Sequence, residues 1–120
     1  MNLLKKAVLL SMFLSQLVFG AEEISTKDAP FYTGQDVIAC GALHEVARFK
    51  RGLYLNMDNK YPKQSLTFIV WEDDINEFNK KFDGVETLVG QNLCGKGMVN
   101  EYKGRSQISL YNSYSLSIQK

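Results

Sequence analysis

The chain has 120 residues, 45% of them hydrophobic, with 14 basic and 13 acidic side chains. That length suits one small domain. The near balance of charge excludes a broadly basic surface of the kind that binds nucleic acid nonspecifically by releasing counterions.

Residues 1–20 read as a signal peptide. Lys5 and Lys6 form a basic start, AVLLSMFL at 7–14 is a short apolar run, and Val18-Phe19-Gly20 sets a small residue before Ala21. Ser11, Ser15 and Gln16 break the run, which argues against a membrane span; the alternative is a retained anchor. The residue directly after the expected cleavage point is Ala21 and not a Cys, which argues against a bacterial lipid anchor. The expectation is an exported protein, periplasmic or secreted, with no span after cleavage. Removing Lys5 and Lys6 leaves 12 basic against 13 acidic residues. Any contact with nucleic acid then has to come from a local basic patch.

Residues 21–33 (AEEISTKDAPFYT) lack periodicity and are predicted as a leader or spacer, with the domain over 34–120. Phe31 and Tyr32 are expected to pack where the leader meets the domain. Residues 35–49 (QDVIACGALHEVARF) predict one long strand, with Gly41 marking a bulge or bend. Arg48 to Gly52 form a turn carrying Arg48, Lys50 and Arg51 beside Phe49. Residues 53–57 (LYLNM) alternate, with Leu53, Leu55 and Met57 on one face and Tyr54 and Asn56 on the other. Asn59 and Pro62 break the chain over 58–64. Residues 66–71 (LTFIVW) predict a third strand, apolar on both faces.

A helix follows. Asp73 or Asp74 is its expected cap, with Glu77 completing an acidic capping box. Ile75, Phe78 and Phe82 form its apolar stripe, Lys80 and Lys81 sit near its C-terminus, and Asp83-Gly84 ends it. Residues 87–102 predict a fourth strand containing three glycines. Lys103-Gly104-Arg105 make a tight basic turn, and 106–110 (SQISL) alternate as a fifth strand. Residues 113–118 alternate again and are expected to extend that fifth strand past a kink at Asn112.

Cys40 and Cys94 remain as an even pair in a small exported domain, which favours a disulfide. The alternative is two small strand residues that never meet.

A helix between the third and fourth of five strands predicts an all-β fold with one short helix, the five-stranded Greek-key barrel called the OB-fold. The motifs CGALHEV (40–46), LYLNMD (53–58), LTFIVW (66–71), LCGKGMV (93–99) and EYKGRSQISL (101–110) resemble a bacterial OB-fold family whose members are often labelled nucleic-acid-binding and are similar to the anticodon-binding domain. The resemblance covers about residues 34–118. It implies that the first and fourth strands are antiparallel neighbours, with Cys40 and Cys94 at matching places for a bridge.

OB-folds bind along their second and third strands, between the loops joining strands one to two and four to five. Those loops hold Arg48, Lys50, Arg51, Lys103 and Arg105, with Phe49, Tyr54 and Asn56 between them. Such a face stacks bases on aromatic rings and holds phosphates with cations. The expected ligand is single-stranded nucleic acid or another anionic polymer; the alternative partner is another exported protein. A third reading, a metal-assisted phosphodiesterase using Glu72-Asp73-Asp74, is weaker because acids are common at a helix start. His44 is the single His and lacks the spacing of a metal site. The serine-rich tail over 106–117 has no paired base. The expectation is a binding protein and not an enzyme, with no cofactor and no metal.

Overall fold

The computed structural model describes residues 21–120; the predicted signal peptide lies outside them. The chain opens with β1 (Glu22–Ser25) and a 3-10 segment at Thr26–Tyr32, then enters the long strand β2 (Asp36–Phe49). Strands β3 (Gly52–Met57) and β4 (Thr67–Trp71) continue it as an antiparallel meander. The alternation read over 53–57 holds: Leu53, Leu55 and Met57 enter the core with Phe68 and Val70 of β4. Burying a side chain of this size contributes about 1.5–3 kcal/mol.

The predicted spacer is part of the fold. β1 runs parallel to β2, Glu22 opposite Val37 through Ser25 opposite Cys40, and Thr26 and Ala29 are fully buried. Thr26 Oγ1 donates to Asp58 Oδ2 at 2.6 Å, and Ser65 Oγ donates to the same oxygen. Gly41 makes room for this: a Cβ there would stand 2.0 Å from Thr26 Oγ1. The irregularity in β2 falls instead between Leu43 and Glu45, at the exposed His44. Tyr32 packs against the core as expected, whereas Phe31 is exposed.

The helix α1 (Ile75–Phe82) follows a 3-10 turn at Glu72–Asp74. Phe78 is buried, with Ile75 and Phe82 packed beside it, and Asp83 ends the helix at a φ of 56°. The predicted capping box does not form, because no side chain caps the N-terminus. Glu77 instead reaches the chain's end, accepting from Ser113 N at 3.1 Å and Ser113 Oγ at 2.7 Å. Lys81 Nζ donates to the carbonyls of Ser113 and Leu116 at 2.7 and 2.8 Å.

The predicted fourth strand divides. Val85–Leu88 is a 3-10 turn, followed by β5 (Asn92–Met98) and β6 (Asn100–Tyr102). Val99 between them is fully buried and exchanges backbone bonds with Gly34 and Gln35. Strand β7 (Arg105–Leu110) pairs antiparallel with β6 and parallel with β4. The tail does not extend it: after a 3-10 turn at Ser113–Ser115, β8 (Leu116–Ile118) pairs with β5. The result is a mostly β fold of eight strands, where five are predicted, in ladder order β6-β7-β4-β3-β2-β5-β8 with β1 beside β2. The ladder is open, with β6 and β8 at its ends. Gly95 lets β5 close over the core, since a Cβ there would lie 2.4 Å from the Phe68 ring.

β2 and β5 are antiparallel and in register from Asp36 opposite Met98 to Ala42 opposite Asn92, with Cys40 opposite Cys94. The two cysteines form a disulfide. The loop they close spans 54 residues, worth about 4 kcal/mol on the chain-entropy account.

Candidate functional site

Strand pairing sets three rows of side chains across the outer face of β2, β3, β4 and β7. One row runs Phe49, Gly52, Trp71; the next Ala47, Tyr54, Ile69, Ser109; the third Glu45, Asn56, Thr67, Gln107. They divide the face into an aromatic half and a polar half.

In the aromatic half, Phe49 and Tyr54 stack with ring centroids 4.0 Å apart and planes 3° from parallel. Trp71 meets Phe49 edge-on at 6.0 Å. Gly52 lets β3 approach β4 closely here, because a Cβ there would meet the Val70 carbonyl at 2.1 Å. Ile69 is 5% exposed yet lies outside the core cluster. It floors a cleft walled by Phe49, Tyr54, Trp71 and Tyr102, with Arg51 at its edge.

In the polar half, Asn56 is not the exposed contact that its alternation predicts. It is 2% exposed; its Nδ2 donates to Glu45 Oε1 and its Oδ1 accepts from Thr67 Oγ1, both at 2.8 Å. Glu45 Oε1 also accepts from the Tyr61 backbone N–H at 2.8 Å, which ties the 58–64 loop to the sheet. The Tyr61 and Asn56 bonds hold the Glu45 carboxyl below the usual carboxylate range. Above this network lies a recess bounded by Tyr54, Tyr61, Tyr102 and Arg105. The Arg105 guanidinium sits 4.9 Å from the Tyr61 ring centroid.

The predicted cations are not equivalent. Arg48 pairs with Glu72 at 2.6 Å, so its charge is met within the protein. Lys50 and Arg51 border a shallow recess with Trp71, Glu72 and Asp73. Lys103 Nζ lies 5.3 Å from the Tyr102 ring centroid. Sequence reasoning missed Trp71, Ile69, Tyr61, Tyr102 and Gln107. The double-sided apolarity of residues 66–71 was the available signal for the first two. Among the described residues, the one grouping of three metal-ligand types is Glu23, Cys40 and Cys94; its sulfurs are joined to each other.

No protein-family model matches the chain, and no curated protein sequence matches it. Solved structures do match. OBody AM1L10, solved bound to hen egg-white lysozyme, is 17% identical with a TM-score of 0.59, covering 85% of this chain and 97% of that one. Asparaginyl-tRNA synthetase from Pyrococcus horikoshii is 14% identical with a TM-score of 0.54, covering 82% of this chain and 23% of its own. A chain of the S. pombe Stn1-ten1 complex is 14% identical with a TM-score of 0.52, covering 76% of this chain and 68% of that one. At such identities the likeness is one of fold. The chain is an OB-fold domain, and it spans under a quarter of the synthetase.

Proposed function

We propose that this OB-fold domain is an exported binding module, of the bacterial type its motifs resemble, that takes single-stranded nucleic acid along the outer face of β3 and β4. The observation that carries the reading is the cleft of Phe49, Tyr54, Trp71 and Tyr102 floored by Ile69, with Arg51 at its edge, Lys103 over the Tyr102 ring and Arg105 at the adjoining recess. Stacking of a base on an aromatic ring of such a cleft contributes about 1–3 kcal/mol per base. The fold neighbours support the same reading, since a tRNA synthetase is among them. The proposed role is binding and not catalysis.

Trp71 is the single Trp of the chain, so its fluorescence reports on the cleft directly. A 12-nucleotide oligothymidylate should quench it at low salt. With Lys50, Arg51, Lys103 and Arg105 each meeting a phosphate, log K should fall against log salt with a slope of about −3, at about −0.7 per contact. Absence of quenching at 20 mM salt would overturn the reading. A protein partner on the same face is the second reading, favoured by the OBody neighbour that binds lysozyme. Salt-insensitive capture of another exported protein, abolished by Tyr54→Ala, would decide for it.

A further inference from the structure

Of the cations on the basic loops, Arg105 is placed unlike the rest. Lys50, Arg51 and Lys103 are exposed, and Arg48 is met by Glu72. Arg105 is half-buried, and among the described residues its guanidinium has no carboxylate partner. A cation drawn out of water is costly unless acceptors replace its hydration. The Tyr61 ring, 4.9 Å away, attracts the charge but offers no lone pair to the N–H groups. Gln107 stands two residues on along β7, on the same face, and among the described residues its amide makes no side-chain hydrogen bond. Both line the recess, and no acidic residue does. The nearby Glu45 Oε1 is already taken by Asn56 Nδ2 and the Tyr61 N–H.

The shape of the recess narrows what it can hold. Its volume is about 50 Å³, against roughly 150 Å³ for a cavity that takes a benzene ring. That suits a phosphoryl group and not a base. One wall is the 58–64 loop, which is tied to the sheet at both lining residues: Tyr61 N donates to Glu45 at 2.8 Å and Gln64 Nε2 to Thr67 Oγ1 at 3.2 Å. Another side leads to the aromatic cleft, since Tyr54, Tyr102 and Gln107 border both.

We infer that the recess is an end-binding seat, which takes the terminal phosphate monoester of a single strand whose adjoining bases stack in the cleft. The Arg105 fork serves two phosphate oxygens and the Gln107 amide a third. A terminal phosphate has three free oxygens and one link to the strand, so it can enter a recess walled by a fixed loop. An internal phosphodiester has two links and must pass on, so it reaches Arg105 only from the mouth. This inference rests on the nucleic-acid reading above and narrows it to strand ends.

The test titrates three oligothymidylates against the full protein at low salt, read by Trp71 fluorescence: a tetramer with a 5′-phosphate, a tetramer with a 3′-phosphate, and a hexamer with neither. The hexamer carries about the same total charge as each tetramer, so charge alone gives the tetramers no advantage. One tetramer should bind roughly 10- to 100-fold more tightly than the hexamer, the effect of a hydrogen bond to a charged group. Which tetramer it is gives the direction of the strand. Arg105→Gln should bring that preference to about unity, whereas Arg51→Gln should weaken tetramer and hexamer alike and keep it. Folding of the Arg105 variant is checked by its melting profile. If that profile is altered, Arg105→Lys takes its place; it keeps stem and charge, loses the planar fork, and should still lower the preference at least about threefold. The inference is overturned, with the binding reading left in place, if neither tetramer outbinds the hexamer or if a folded Arg105 variant keeps the full preference. Quenching by none of the three strands, nor by the 12-mer above, overturns both.

Discussion

On β3 and β4, Leu53, Leu55, Phe68 and Val70 turn inward to full or nearly full burial, while Tyr54, Ile69 and Trp71 turn outward across the same backbone. Both sets are apolar. The inner set touches other elements from every side and is held in place by them. In the outer set Ile69 is buried while Tyr54 and Trp71 are only half-buried, and the Trp71 indole N–H is buried with no partner. On the proposed reading, residues whose removal mainly costs stability alternate along one strand with residues whose removal mainly costs binding. Apolarity alone therefore does not tell the two faces apart; partial exposure and an unmet indole N–H mark the outer one.

That contrast can be broken most directly at Phe68. Phe68→Ala should cost about 3–5 kcal/mol in urea unfolding, and a loss below about 1 kcal/mol would mean that the inner face is not the packed one. Opening the seam between β2 and β5 comes next. Cys40→Ser with Cys94→Ser should lower stability by about 2–4 kcal/mol and leave the outer face able to bind, measured by denaturation and by Trp71 quenching on the same samples. Tyr54→Ala should cost only about 0.5–1.5 kcal/mol of folding stability, the worth of its stack on Phe49. The same variant should weaken oligonucleotide binding by about 1–3 kcal/mol; a larger loss in folding than in binding would erase the distinction between the faces.

Two smaller effects sharpen it. The Glu45 carboxyl is depressed by the Tyr61 N–H and the Asn56 amide. Its contribution is therefore present above the ordinary carboxylate pKa and lost as pH falls through the depressed folded value. In an acid titration followed by NMR, the Tyr61 amide resonance should move in that window, and Glu45→Gln should flatten the response. Arg48→Ala should change least. Its pair with Glu72 is more than half exposed on both sides, so the loss should be about 0–1 kcal/mol, with binding retained because Arg48 is engaged elsewhere.

Much of this architecture is legible in local pattern. The alternation over 53–57 has the period of a strand, and Ile75, Phe78 and Phe82 have the period of a helix; neither depends on distant residues. The basic loops were visible as well: Phe49, Tyr54 and Arg51 line the cleft, and Arg105 lines the adjoining recess. Asn56 misled because alternation reports which side a residue faces and not whether a carboxylate from the next strand waits there.

Short-range periodicity thus settled β2, β3, β4, β7 and the helix, because it is set by the backbone's own repeat. Long-range pairing settled the rest. The parallel seat of β1 beside β2, the inward turn of Val99 that divides a strand in two, and the return of β8 to β5 all join residues far apart in the chain. Their stability comes from burial and hydrogen bonds that exist only once both partners are present, so no window of sequence contains them.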